Sequence, residues 1–406
     1  MAKNVLVLGA LDSKGAEYAY LRTHLQQSGV APVVVDFGVL GEPAFTPDIS
    51  AAEVAAAGGA DLTALRAAND RGAAMVAMAQ GVAVIARRLY DEGKIDGAIG
   101  MGGTGGSSVI ASGLRALPIG IPKLLVSTVA AGDTRPYVGT RDITLMPSVV
   151  DVAGINRISR RIFANAAGAI AGMLGTTVDT DTQDRPLIAA SMFGNTTEAV
   201  DRARATMEAQ GYEVLVFHAT GTGGETMESL ITDGYIAGVL DITTTEWADE
   251  LCGGVFSAGP TRLDAAAMQG IPQIIVPGCI DMTNFGSRET VPERYAERNL
   301  YVWNPTVTLM RTTPAENAEM GHIFAEKLNR ATAPVHVLIP LKGFSILDSP
   351  GERFWEPEAD HAFIQALKAD LRADIPVEEL DVNINDPAFA DRATTLLLET
   401  LQTTHQ

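Results

Sequence analysis

The chain predicts an α/β fold: two Rossmann-like lobes with mainly parallel sheets, related by internal duplication, with a cleft between them. Three observations carry this. The strand signals are continuous apolar runs rather than in-out alternations, the pattern of parallel strands covered on both faces. Strand and helix signals alternate from end to end. The opening of the first half also recurs in the second. Val5 to Leu8, a loop Gly9 to Gly15, a helix to about Ser28 and the strand Val33 to Val35 match Leu187 to Ala190, Ser191 to Thr197, a helix to about Gln210 and Val214 to Val216. The match continues with Lys94 to Ile99 against Gly234 to Leu240, and with Gly120-Ile121-Pro122 to Val126 against Gly270-Ile271-Pro272 to Val276.

The polar run Thr176 to Asp184, ahead of Arg185-Pro186, has linker composition. It sets a first lobe at 1–180 and a second at 185–406. The first lobe carries an extra segment, Gly41 to Asn69, whose prolines and Gly58-Gly59 suggest a surface insertion or lid. Asp348 to Pro357 is a second lid candidate. Thr313-Pro314-Ala315-Glu316 reads as a capping box opening a helix, and Val335 to Ile339 as a final strand.

At 406 residues with 47% apolar and 19% charged content, the chain suffices for two or three globular domains. A net charge of −19 argues against nucleic acid and anionic membranes as partners, since both require neutralised phosphates. Two cysteines, Cys252 and Cys279, without C-x-x-C spacing suit a reducing cytoplasm. The small-residue segment Ala164 to Leu174 is too short for a membrane span and reads as a packed or interface helix, consistent with a homo-oligomer.

The densest chemical signal is the strand Ile95 to Ile99 running into Gly100-Met101-Gly102-Gly103-Thr104-Gly105-Gly106-Ser107-Ser108. Glycines are kept where φ is positive or where a ligand approaches bare peptide. A helix starting near Gly106 or Ser107 would aim its first N–H groups at an anion. The match to G-x-G-x-x-G lacks the acidic residue a dinucleotide reader needs after the next strand, because Lys123 to Val126 ends in Ser127-Thr128. No Walker lysine follows. A tight turn without a ligand is the alternative.

Ligands of doubly wound sheets sit beyond the carboxyl ends of the strands. That rule gathers Asp12, Ser13, Lys14, Gly102, Gly103, Thr104, Gly105, Gly106, Ser107, Ser127 and Thr128 as cofactor-binding candidates in the first lobe. In the second lobe it gathers Asn195, Thr196, Thr197, Gly221, Thr222, Gly223, Gly224, Asp281 and Asn284 as substrate-binding candidates. Lys14 could set a charge on a phosphate and Asp12 could hold Mg²⁺ through water, against the alternative of an N-capping Asp12 beside a solvated lysine. His218 and Glu246 are candidates for proton transfer, with a structural histidine and helix capping by Thr245 as their alternatives.

Gly9-Ala10-Leu11-Asp12-Ser13-Lys14-Gly15, Gly102 to Gly106, Ser127-Thr128-Val129, Arg135-Pro136-Tyr137-Val138-Gly139, Met146-Pro147-Ser148-Val149-Val150-Asp151, Phe217 to Gly224 and Asn304 to Thr312 together resemble one family over nearly the whole chain. It is the bacterial and plant family typified by the ATP-binding amino-terminal domain of the plant tobamovirus-resistance protein. The resemblance implies two Rossmann-like lobes and bound ATP. Some relatives join this domain to a barrel resembling phosphoenolpyruvate-using enzymes, so a separate barrel is an expected partner. The expectation is a cytoplasmic ATP-binding protein that uses ATP on a small anionic metabolite held between the lobes. The alternatives are a nucleotide-sensing protein without turnover and an ATP-independent lyase or hydrolase.

Overall fold

A computed structural model describes residues 3–177 and 184–404. The linker-like run falls largely on 178–183, outside the described residues. The chain divides into two compact units, Met1–Thr180 and Asp181–Gln406.

In the first unit, β1 (Asn4–Gly9), β2 (Ala31–Asp36), β3 (Gly97–Gly102), β4 (Lys123–Ser127) and β5 (Thr144–Pro147) form one sheet. Its order is β2-β1-β3-β4-β5, and every neighbouring pair is parallel. The continuous apolar runs have a direct cause, because successive residues face opposite covered sides. Leu6, Leu8, Val35, Ala98 and Leu125 pack with Met78, Val82, Ile85, Ile110 and Leu114, from helices Arg71–Asp91 and Thr104–Arg115. Val5, Val7, Val34, Ile99 and Val126 pack on the other side with Tyr18, Leu21, Phe163 and Ile170, from helices Leu11–Gln27 and Arg157–Gly175.

The second unit repeats the plan. Its main strands are β6 (Leu187–Met192), β7 (Glu213–His218), β8 (Ile236–Thr243) and β9 (Gln273–Gly278). A small antiparallel sheet follows, made of β10 (Met282–Phe285), β11 (Leu300–Asn304) and β12 (Val307–Arg311), with β12 in the middle. Then β13 (Val335–Pro340) and β14 (Val377–Leu380) complete a parallel six-stranded sheet, β7-β6-β8-β9-β13-β14. Counted within each main sheet, both units run second, first, third, fourth, fifth. The pairs matched by the sequence repeat therefore occupy like positions: β1 and β6 are first, β3 and β8 third, β4 and β9 fourth.

Several expectations need correction. Val335 to Ile339 is not the last strand, because Val377–Leu380 pairs outside it. The segment 41–69 is no loose lid. Its helices Ala51–Ala57 and Leu62–Ala68 are capped by Ser50 and Asp61, and Val54 and Ala55 are buried in the core. Gly58 and Gly81 let this layer cross helix Arg71–Asp91 closely, for a Cβ on Gly81 would lie 1.9 Å from the Val54 carbonyl. That helix is long and apolar enough to cross a membrane, the one such helix among the described residues. Its Ala74, Ala77, Met78, Val82, Ile85 and Leu89 are buried in the unit's own core. The capping box at Thr313 forms as the sequence indicates, with Thr313 and Glu316 each accepting the other's backbone N–H.

Candidate functional site

The glycine loop of the first unit is shorter than expected. Helix Thr104–Arg115 starts at Thr104 with Gly103 as its N-cap, so Gly105 and Gly106 already belong to its first turn. None of Gly100, Gly102, Gly103, Gly105 and Gly106 is among the glycines with positive φ. Close approach explains them instead. A Cβ on Gly100 would lie 2.5 Å from Ile110, and one on Gly102 would lie 3.0 Å from the Ser107 nitrogen, so both serve strand-to-helix packing. Gly106 differs, because a Cβ there would meet nothing within 4 Å.

The start of this helix has no side-chain cap. The first helical N–H returning to the chain is that of Ser107, bonded to the Gly103 carbonyl at 2.8 Å. The amides of Thr104, Gly105 and Gly106 precede it, the group that intrahelical bonding leaves open. They lie at the carboxyl end of β3, beside β1 where the strand order reverses, which is the switch point at which such sheets bind ligands.

The surrounding side chains divide into structural and available groups. Ser107 and Ser127 are buried and bonded to each other at 2.6 Å, and Ser127 also accepts the Val129 N–H, so both hold β3 to β4 rather than facing a ligand. Asp12 is not the N-cap, a place taken by Ala10. Its carboxylate accepts the N–H groups of Leu40 at 2.7 Å and Gly41 at 3.2 Å, pinning the loop after β2. Lys14 donates to the carbonyl of Val152. Gly9 and Gly15 make room for the Tyr18 ring and for Ala44. Ser13, Thr104, Ser108 and Thr128 remain exposed.

Two residues at this edge, Arg71 and Asp151, were not among the expected site residues. A Cβ on Gly105 would lie 3.4 Å from Arg71 Nη2, and one on Gly103 would lie 3.9 Å from both Thr128 Oγ1 and Asp151 Oδ1. Arg71 thus brings a guanidinium, and Asp151 a carboxylate, to the open amides. Asp151 follows Val149, a β-branched residue at φ +64° whose side chain is 76% exposed. Such a residue rarely adopts this conformation and does so where its surroundings impose it. The imposing contacts are the bond from Ser148 N–H to the Ser127 carbonyl, Lys14 on Val152, and Glu17 accepting the Gly154 N–H.

In the second unit the anion cradle exists, and the protein fills it. Glu246 Oε1 accepts the N–H of Gly221 at 2.8 Å and of Gly224 at 3.0 Å, at the start of helix Thr222–Thr232. Gly224 is glycine because a Cβ would lie 2.1 Å from that carboxylate, and Gly223 because one would lie 1.8 Å from the His218 carbonyl. Glu246 Oε2 takes Arg262 Nε at 2.7 Å, while the Arg262 fork grips Asp241 at 2.6 and 2.7 Å. Arg262 is 1% exposed. Burial pushes Glu246 above the ordinary carboxylate range, with Arg262 and the Gly221 N–H opposing it. The readings of Glu246 as a free base and of Gly221, Gly223 and Gly224 as a substrate cradle are therefore corrected: the carboxylate and the amides satisfy one another.

Most other candidates here are likewise held by contacts within the unit. Thr196 bonds Phe193 and Thr243, Thr197 bonds the Phe193 carbonyl, and Asn195 is buried against Met282. Asn284 is buried on Asp249, and Asp281 takes the Ser345 hydroxyl at 2.8 Å. His218 is exposed and stacks on Phe193 at 5.5 Å; Thr222 is exposed beside it. Cys252 and Cys279 are buried thiols, and burial pushes Cys252 up to about 11.

Asp249 yields a pH prediction. It is fully buried, accepts N–H groups of Asn284 and Phe256, and burial pushes it up to about 7. A carboxyl whose folded pKa is raised contributes stability that is complete below its unfolded pKa, about 4, and is lost as pH rises towards the folded value. Chemical denaturation from about pH 4 to 8 should show the second unit weakening through this window. Asp249→Asn should flatten the slope, since Asn284 Oδ1 has no partner and an amide flip there would accept the new donor. An unchanged slope in that variant would refute the assignment.

Residues 3–179 match the N-terminal domain, and residues 185–401 the C-terminal domain, described as Uncharacterised protein family (UPF0261). A UPF0261 protein of Clostridium tetani is 50% identical over 391 residues, covering 96% of this chain and 97% of the relative. The ToMV resistance protein Tm-1 of Solanum lycopersicum is 42% identical over 339 residues, 82% of this chain and 45% of that protein. Among solved structures, a UDP-N-acetylglucosamine 2-epimerase from Rickettsia bellii aligns over 99% of this chain and 98% of its own at 11% identity. Its TM-score is 0.24.

Proposed function

Because the chain belongs to the UPF0261 family, with both of its domains present, we propose that it binds ATP at the open helix start of its first lobe and uses it on a small anionic metabolite. The observation that carries this reading is the uncapped N-terminus at Thr104, at the switch point of the sheet, with open space over Gly106. Anions are stabilised there by the helix dipole and by unbonded N–H groups. Arg71 supplies the cation expected of Lys14, which is held on the Val152 carbonyl. Asp151 and Thr128 are oxygen ligands suited to Mg²⁺, which takes few protein ligands and completes its shell with phosphate oxygens and water. Among the described residues no three His, Cys, Asp or Glu side chains gather to hold a metal, so such an ion would depend on the nucleotide. Bound Mg²⁺ would offset phosphate charge.

The test is calorimetry with ATP on the wild type and on Gly106→Val. Its side chain enters open space, so the variant should fold normally and lose at least about tenfold in affinity, about 1.4 kcal/mol. Unchanged affinity in the folded variant would overturn the assignment. A second reading, a nucleotide-sensing protein without turnover, is favoured by the engagement of Glu246 and Lys14 in internal bonds. Phosphate release measured with candidate carboxylates separates the two. The proposal retains a cytoplasmic setting, a homo-oligomer and a separate barrel protein as partner. Co-purification with a phosphoenolpyruvate-using enzyme would support the last.

A further inference from the structure

Two buried arginines in the second unit each stand among carboxylates, three around Arg262 and three buried ones with the half-exposed Glu356 around Arg311, and the clusters differ in how the carboxylates are satisfied. Around Arg262 every oxygen of Asp241, Glu246 and Glu228 has a donor. Ser191 serves Asp241, Gly221 and Gly224 serve Glu246, Leu263 and Ala265 serve Glu228, and the guanidinium serves all three. Around Arg311 the same count fails. Asp360 Oδ1 takes Arg311 Nη2 at 2.7 Å, Asp348 Oδ2 takes the Phe344 N–H at 2.9 Å, and Asp281 Oδ2 takes Ser345. The second oxygen of each, Asp360 Oδ2, Asp348 Oδ1 and Asp281 Oδ1, is buried without a hydrogen-bond partner. So is Asn317 Oδ1, whose amide shares Thr312 with Arg311.

Three ionised buried carboxylates on one guanidinium would leave two net negative charges out of water, a strongly unfavourable arrangement. Asp281 and Asp348 are fully buried and Asp360 is 6% exposed. Carboxyls in this position share protons, as like charges cannot all ionise. Asp360 and Asp348 meet at one donor, since Arg311 Nη2 lies 2.7 Å from Asp360 Oδ1 and 3.5 Å from Asp348 Oδ1, and a proton placed between the two carboxyls relieves their repulsion. The charged groups facing this point are Arg311 from β12, Asp281 from the turn between β9 and β10, Asp360 from helix Pro357–Asp370, and Asp348 and Glu356 from the segment between β13 and that helix. The Cys279 thiol, kept protonated by burial, lies beside Asp281 and Asp348.

The cluster also binds that segment, the second lid candidate of the sequence. Arg311 donates to the carbonyls of Phe354 at 2.8 Å and Glu356 at 3.3 Å, while Asp281 holds Ser345. We propose that the cluster is a proton-held latch: one proton shared between Asp348 and Asp360 closes residues 345–356 onto Arg311, and its loss in alkaline solution frees them. The direction follows from burial, which raises all three carboxyls and sets Asp281 at about 6. The folded state therefore carries the extra proton, and the closed latch weakens as pH rises.

Hydrogen exchange by mass spectrometry, corrected for intrinsic rates, tests this on the full chain from about pH 5 to 9. In the wild type, protection of the 345–356 peptide should fall by about tenfold per pH unit once the proton is lost. Asp348→Asn places a permanent donor towards Asp360 and removes one charge, so protection there should stay flat. Asp360→Asn is the second variant, with the same expectation. Flat protection in the wild type, or the wild-type fall retained in both variants, overturns the latch. So does restoration of protection at high pH by added Ca²⁺ or Mg²⁺, which would make the missing partner a metal ion.

Discussion

Replacing Arg262 with methionine is expected to destabilise the second lobe by about 3–5 kcal/mol, the usual consequence of removing one partner from a buried ionic network. The side chain is 1% exposed and its guanidinium touches Asp241, Glu246 and Glu228, so the variant leaves three buried carboxyls without their cation. Arg262 stays protonated: burial works against its charge, and Asp241 followed by the two glutamates overcomes it. Urea unfolding followed by tryptophan fluorescence reads the change, because Trp247, Trp303 and Trp355 all lie in that lobe, and a loss under about 1 kcal/mol would show that the network relaxes or hydrates. Glu246→Gln should cost less, since an amide still offers one oxygen to Gly221 and Gly224. It should leave the proposed ATP binding at the first-lobe helix start unchanged, because its partners all lie in the second unit.

Alanine in the two glycine loops should give opposite results. Gly224→Ala is expected to cost on the order of 2–4 kcal/mol, from overpacking together with displacement of the Glu246 carboxylate, because the new Cβ would lie 2.1 Å from Oε2. Gly106→Ala should be neutral or slightly stabilising, since the methyl meets nothing within 4 Å and alanine is the better helix former. Thermal melts of the two variants side by side decide the matter. Equal losses would mean that both loops are occupied by the protein itself, and the first lobe would no longer qualify as the open anion site.

The sequence by itself determined the architecture. Continuous apolar runs report strands covered on both faces, and the matched Gly-Ile-Pro entries at 120–122 and 270–272 report equivalent fourth strands, because these are local properties of strands and turns. It also located both glycine loops at strand-to-helix turns. Only the tertiary structure decided what occupies them. Gly102-Gly103-Thr104-Gly105-Gly106 and Gly221-Thr222-Gly223-Gly224 look alike as strings. One is left open, with Arg71 and Asp151 brought to it from distant segments, while the other is closed by Glu246 from the next strand-to-helix turn and by Arg262 from a loop beyond it. A donor's partner is fixed by which side chain the fold carries within hydrogen-bond reach, about 3 Å, and spacing along the chain does not encode that distance.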